Sequence, residues 1–309
     1  MKEINGEAPG NKAPLLMKKK LIDFGSIDPI TMLVAILTVA LWGSAFVGIR
    51  VGLKSYSPES LALLRYLVSS LILAIYAFAI KMPLPRPADL PGLAGLGFVG
   101  LTVYNLLVNT GEQTTQAGQA SLIVASAPIF TALLAILFLK ERLTRIAWVG
   151  LGVCLVGVAL ICLKNDHELY FSSGSILLFL GAIASAGYSV GQKNYLAQYT
   201  PVQVTCFAFW FGTLFLLIFA PGLANQIPQA QPSATLAAIF LGIVPGAIGY
   251  IGWGIVFSRL PASRAGSFLF LVPVFATIIA WFWLGETLSI QSILGGALVL
   301  VGTAVIHHK

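Results

Sequence analysis

The sequence predicts an all-α integral membrane protein of ten transmembrane helices, arranged as two inverted five-helix repeats. Three observations predict it. The 309 residues are 58% hydrophobic and only 9% charged, against roughly a quarter charged in an average soluble chain, and the mean hydropathy is +0.91. The apolar residues fall in runs of about 20, the length that crosses a hydrocarbon layer as a helix. The chain also repeats itself. Between 128 and 161, 12 of 34 positions are identical to those 145 residues further on. Pro128 falls opposite Pro273, Glu141 opposite Glu286, Gly150 opposite Gly295 and Gly157 opposite Gly302.

The apolar runs lie near 31–53, 58–80, 91–112, 117–139, 145–163, 173–195, 201–221, 234–257, 262–284 and 289–306. They divide the chain into a polar N-terminal tail (1–29), a first repeat (30–164) and a second (172–306). The tail has no apolar core and reads as a cytoplasmic tail, not a signal peptide. The repeat extends to the early spans. At a shift of 143, Gly48, Tyr56 and Pro58 fall opposite Gly191, Tyr199 and Pro201; at 145, Leu96 and Gly97 fall opposite Leu241 and Gly242. Five spans is an odd number, so the second copy must enter the membrane from the other side.

The charges agree with that inversion. With the N-terminus inside, 14 of the 18 Lys and Arg residues fall in cytoplasmic segments, while Arg50, Lys54 and Lys164 fall opposite. This asymmetry predicts cytoplasmic termini. The net charge of +7 is spread over short loops that set orientation, which excludes a nucleic-acid partner. Cys154, Cys162 and Cys206 all lie inside apolar runs, with neither a disulfide framework nor metal-ligand spacing. No phosphate-binding loop, HExxH motif or nucleophile–base pair is present, so no catalytic residue, metal or cofactor is expected.

The motifs then become specific. The first span reads LWGSAFVGIR, with Trp42, Gly43 and Phe46; the second reads SPESLALLRY, with Pro58 and Arg65; the fourth reads APIFTALLAILFLKERLT. With a proline in each fourth span, a glutamate at its end and a Gly-rich fifth span, the chain resembles the drug/metabolite transporter superfamily, in its EamA-type branch, over about 30–306. The resemblance implies a secondary carrier in a bacterial cytoplasmic (inner) membrane, exporting amino acids or related small metabolites by alternating access. It would be driven by a proton or counter-solute gradient and would act as a monomer or homodimer. A multidrug-type or sugar-phosphate-like exchanger is the alternative within transport. A membrane enzyme or accessory subunit is the alternative outside it.

Inverted-repeat carriers bind near the midplane between the copies. Polar groups facing lipid are costly, so polar helix faces should look inward. Span 3 carries Thr102, Asn105, Asn109 and Glu112 on one face, and span 8 presents Tyr250, Trp253 and Phe257 on the equivalent one. Span 1 presents Trp42, Phe46 and Arg50; span 6 presents Ser185, Tyr188 and Gln192. The expected solute-binding set is therefore Trp42, Phe46, Asn105, Asn109, Tyr188, Gln192, Tyr250 and Trp253. Arg65, a charge inside span 2, is read as gating or structural, with a bound carboxylate as the other reading. Pro128 and Pro273 are expected to kink their spans, as paired gates or fixed bends. Glu141 and Glu286 are expected to order the hinges. The copies differ at two informative places: Trp42 faces Ser185, and Arg65 faces Ala208.

Overall fold

The structure is a computed structural model and describes residues 27–114, 120, 123–162, 173–284 and 290–307. The N-terminal tail, the 164–172 connection and Glu286 lie outside the described residues. Among the described residues the regular structure is entirely helical. We number the helices α1 (Pro29–Gly52), α2 (Pro58–Ala79), α3 (Pro87–Thr114), α4 (Ala127–Leu139), α5 (Arg145–Cys162), α6 (Ser173–Tyr195), α7 (Pro201–Gln229), α8 (Pro232–Arg259), α9 (262–284) and α10 (Ile290–His307). Six of these, α1, α2, α3, α6, α7 and α8, are long and apolar enough to cross a membrane. The remaining four contain the shorter apolar stretches Ala127–Leu139, Arg145–Leu160, Ala262–Ala276 and Ile293–Ile306.

Proline starts the helices, because a first-turn residue needs no N–H partner and its φ is already helical. Asp28 caps α1, accepting from Thr31 N at 2.9 Å ahead of Pro29. Ser57 caps α2 ahead of Pro58, and Thr200 and Gln203 form a reciprocal capping box ahead of Pro201. Hydrogen bonds from Thr31, with Arg259 nearby, hold the Asp28 carboxyl below the usual carboxylate range. The outer surface is apolar: Ile75, Phe78, Phe138, Ile218 and Leu236 are exposed. Such a surface suits hydrocarbon as solvent.

The prolines of the repeat both stand near the start of an α-helical stretch. Pro128 sits in the first turn of α4, after a turn at Ala125–Ser126. Pro273 likewise opens the α-helical part of α9 (Val272–Leu284), after a 3₁₀ turn at Phe268–Leu271. Pro128 thus occupies a start position where its ring removes no hydrogen bond, while Pro273 follows directly on a change from 3₁₀ to α geometry within a continuous helix.

Helices α3 and α8 both widen to π-helix, over Phe98–Val103 and Gly242–Ile248. These stretches fall opposite one another at a shift of 145. Side chains of neighbouring helices bond to carbonyls here: Ser69 Oγ donates to Gly242 O at 2.6 Å, and Trp42 Nε1 to Pro245 O at 2.9 Å. Such satisfaction is what irregular backbone at membrane depth requires.

Packing between the halves is reciprocal. A Cβ at Gly97 would lie 2.5 Å from Ala208 O, and one at Gly242 would lie 2.4 Å from Arg65 O. Gly97 and Gly242 are repeat equivalents, and so are Ala208 and Arg65. The same holds between α5 and α10, where Gly157 abuts the Gly295 carbonyl and Gly302 abuts the Gly150 carbonyl. The partners of α10 run backwards along α5, so these two equivalent helices are antiparallel. Small residues let the backbones approach this closely.

The connections gather at two ends. At one, Arg259 Nη1 donates to Thr31 Oγ1 at 3.0 Å, Glu141 accepts from Ala262 N at 2.6 Å, and Lys193 donates to the Phe257 and Leu260 carbonyls. Arg86 N donates to Tyr199 OH, which donates to Asp89. At the other, Ser57 N donates to Gln226, and Tyr56 OH meets Thr235 Oγ1 at 2.7 Å. Lys81, Arg86, Lys140 and Arg142 lie in the connections of the first end, and Lys193, Arg259 and Arg264 lie in the helix turns beside them, so this end is the basic one.

Candidate solute cavity

A cavity of about 80 Å³ lies in the interior, walled by α1, α2, α3, α4, α6, α8 and α9. Its wall is built from equivalent positions of the two halves. Trp42 and Ser185 both line it, as do Asn105 and Tyr250, Val124 and Leu269, and Ala127 and Val272. The first pair is related by 143 residues and the other three by 145. The cavity therefore sits where the two halves meet symmetrically.

The rest of the wall comes unequally from the first half. Ala45, Phe46, Ile49, Arg65, Tyr104 and Val108 line it. Their positions run toward the Ser57 end of α1, α2 and α3, so the cavity leans away from the basic end. At the basic end, the bonds of Glu141, Lys193 and Arg259 described above tie helix ends together.

Of the residues expected to face a solute, Trp42, Phe46, Asn105 and Tyr250 line the cavity. Asn109, Tyr188, Gln192 and Trp253 do not, although all four are buried. Asn109 Nδ2 instead donates to Pro58 O at 3.0 Å, and Trp253 Nε1 donates to Ser189 Oγ at 3.2 Å. The Tyr188 hydroxyl and both amide atoms of Gln192 are buried without a hydrogen-bond partner. Tyr188 and Trp253 still brace the wall through their rings: Tyr188 lies 5.6 Å from Tyr250, and Trp253 lies 5.0 Å from Trp42.

Arg65 and Pro273, expected to be gating or structural, are also in the wall. Pro128 is buried beside it, in the first turn of α4. Glu141 is far from the cavity and binds the start of α9 through Ala262 N, Ser263 N and Ser263 Oγ.

The polar stripe of α3 is used mostly on neighbouring helices. Thr102 Oγ1 donates to Gly212 O at 2.9 Å. Asn105 accepts from Arg65 Nη1 at 2.9 Å and donates to Tyr66 OH and Leu101 O. Glu112 is buried with neither oxygen partnered. Beside Asn105 and its partner Tyr66 stands an aromatic cluster: Tyr250 lies 5.3 Å from Trp42 and 5.1 Å from Phe209, in edge-on contacts, and Phe209 lies 5.0 Å from Tyr66. The cavity wall thus combines polar and cationic groups with aromatic rings.

Periodicity missed the contribution of α4 and α9. Val124, Ala125 and Ala127, with Leu269, Val272 and Pro273, are apolar residues on spans that carry no polar stripe. The signal available was the pair of equivalent prolines, which mark where each span is interrupted.

Comparison with known proteins agrees with this architecture. The EamA-like transporter family matches the chain twice, over residues 29–163 and 172–307. The chain is 40% identical over 273 residues to an uncharacterized transporter, YdfC, of Bacillus subtilis (strain 168), covering 88% of this chain and 89% of that one. It is 39% identical over 274 residues to a probable terminal-alkyne amino-acid exporter of Streptantibioticus cattleyicolor, covering 89% and 92%. A solved crystal structure shares the fold with a TM-score of 0.74 at 20% identity, over 89% of this chain and 96% of the other. The two family matches, one to each half, place this chain in the EamA-like transporter family, among the drug/metabolite transporters.

Proposed function

We propose that the chain is a secondary carrier of a bacterial cytoplasmic membrane that exports amino acids or related small metabolites by alternating access. In this reading it has ten spans in two inverted five-helix halves, with both termini and the basic end cytoplasmic. The reciprocal contacts of equivalent glycines and the antiparallel α5 and α10 support the inversion. The preference for amino acids rests on what the Streptantibioticus relative is named to export. A cavity wall that holds both a cation and aromatic rings suits such solutes.

The observation that carries the reading is the unequal wall. In inverted-repeat carriers the halves exchange conformations, so the opposite-facing state uses the equivalent positions. Ala45, Ile49 and Val108 line the cavity here. Their equivalents are Tyr188, Gln192 and Trp253. Those three lie toward the closed, basic end, and the polar atoms of the first two have no partner. Buried polar groups without partners call for an explanation. Exposure to solute and water in the other state supplies one. The proposed solute-facing set is then Trp42, Phe46, Asn105 and Tyr250 in this state, with Tyr188, Gln192 and Trp253 exchanged in.

A cavity of about 80 Å³ is smaller than the ~150 Å³ that accepts benzene. Loading an amino acid therefore requires the walls to part, as a gated cycle would do. Arg65 in the wall opposes the cationic solutes that a multidrug-type exchanger would carry.

The test is counterflow in proteoliposomes loaded with single amino acids, with propargylglycine included as a terminal-alkyne member. Saturable uptake stimulated by internal solute is expected. Solute movement no faster than in protein-free vesicles across the whole set would refute the reading.

A further inference from the structure

We propose that Arg65 anchors the carboxylate of the solute. The proposal rests on the carrier reading above and adds to it the group that is recognised and the residue that recognises it.

Arg65 is only 5% exposed, yet it forms part of the cavity wall. Its guanidinium makes one hydrogen bond, from Nη1 to Asn105 Oδ1. Its Nε is buried with no partner. Among the described residues the one ion pair joins Arg259 and Asp28, so no carboxylate neutralises Arg65. Glu112 lies within the field of Arg50 and Arg65 but pairs with neither. A buried cation at membrane depth without a counter-charge is costly, and such residues mark solute paths.

The geometry states what is missing. Asn105 is held from behind by the Tyr66 hydroxyl and the Leu101 carbonyl. This aims its Oδ1 at Nη1 and fixes the plane of the guanidinium. The edge left over is formed by Nε and Nη2, whose parallel N–H bonds match the two oxygens of a carboxylate. The interrupted fourth span adds to the same field. The α-helix that begins at Ala127 starts at the cavity wall and has no side-chain cap. Helix starts carry partial positive charge. Trp42, Phe46 and Tyr250, in the same wall, would take the apolar body of the solute.

The anchor also belongs to one half alone. The repeat equivalent of Arg65 is Ala208, which carries no charge. When the halves exchange conformations, the cation leaves the wall and an alanine position enters it, so the hold on the carboxylate differs between the two states.

The experiment uses the purified full chain in detergent. Common amino acids are titrated beside their carboxamides, reading the thermal unfolding midpoint and the dissociation constant. The parent is expected to bind the acids roughly tenfold or more tightly than the amides, as for a hydrogen bond to a charged group. Arg65→Gln should erase that difference, and Arg65→Lys, which keeps the charge but not the fork, should retain part of it. A parent that binds amides as tightly as acids overturns the assignment while leaving the carrier reading intact. A folded Arg65→Gln protein that still prefers acids overturns it too. A parent that binds none of the set, and shows no counterflow, overturns both.

Discussion

Trp42 Nε1 donates to the carbonyl oxygen of Pro245 at 2.9 Å. The bond ties α1 of the first half to the π-helical stretch of α8 in the second, 203 residues away in sequence. The same indole packs edge-on against Tyr250 and lines the cavity. One residue thus satisfies an irregular backbone and shapes the solute wall. Trp42→Phe keeps a ring but removes the donor, leaving the Pro245 carbonyl unpaired. The variant is expected to lose on the order of 1–3 kcal/mol of stability. A depressed thermal midpoint in detergent, with the fold retained by size exclusion, is the expected result. An unchanged midpoint would show that the carbonyl finds another partner.

Gly97 and Gly242 make equivalent contacts with backbone carbonyls, and a carbonyl cannot rotate aside as a side chain can. Gly97→Ala and Gly242→Ala should each cost about 1–3 kcal/mol through overpacking, and by similar amounts. Gly95 and Gly152 provide the control, because a Cβ there meets nothing within 4 Å. Their alanine variants should unfold within a few degrees of the parent. Equal losses at Gly95 and Gly97 would mean that the interhelical contact does not set the effect, because helix propensity by itself favours alanine over glycine.

Much of the fold was legible in the sequence. Helix boundaries near Pro58, Pro201 and Ala262 follow from first-turn prolines and from Pro261, and the duplication follows from shared residues at a fixed shift. Less of the site was legible. Periodicity identified the inward face of α3, but an inward face meets other helices as well as a cavity. Asn105 reaches the cavity, while Thr102 Oγ1 and Asn109 Nδ2 donate to carbonyls of α7 and α2, leaving Asn109 Oδ1 buried without a partner. Periodicity also cannot say which half of an inverted pair is open. Ala45 and Ile49 carry no polar signal and line the cavity; Tyr188 and Gln192 carry one and are shut away from it.

Glu141 supplies a latch that can be tested. Its two oxygens accept from Ala262 N, Ser263 N and Ser263 Oγ, at 2.6, 3.0 and 2.7 Å. They cap the start of α9 and fasten the hinge after α4 to it, at the basic end. Glu141→Ala removes all three bonds and should shift the population toward opening at that end. A cysteine at Gln192, in a background with Cys154, Cys162 and Cys206 replaced by alanine, reports the shift. Its reaction with a membrane-impermeant thiol reagent applied to the basic side should be several-fold faster when Glu141→Ala is added. Equal rates would mean that Glu141 only caps the helix.

Asn105 and Asn109 stand one helical turn apart on α3 and are expected to behave differently. Asn105 holds Arg65 in the cavity wall, so Asn105→Ala should weaken solute binding. The loss of one hydrogen bond to a charged group corresponds to about 1.5–3 kcal/mol, or roughly tenfold or more in affinity. Asn109 is fully buried and donates to the Pro58 carbonyl at the start of α2, away from the cavity. Asn109→Ala removes a bond between two helices of the same half. It should lower the thermal midpoint and leave the dissociation constant for the best-bound amino acid within about twofold. Measuring both quantities on both variants separates the roles. If Asn109→Ala weakens binding as much as Asn105→Ala while its midpoint stays at the parent value, Asn109 faces the solute in a state other than this one, and the assignment of the α3 stripe must be reversed.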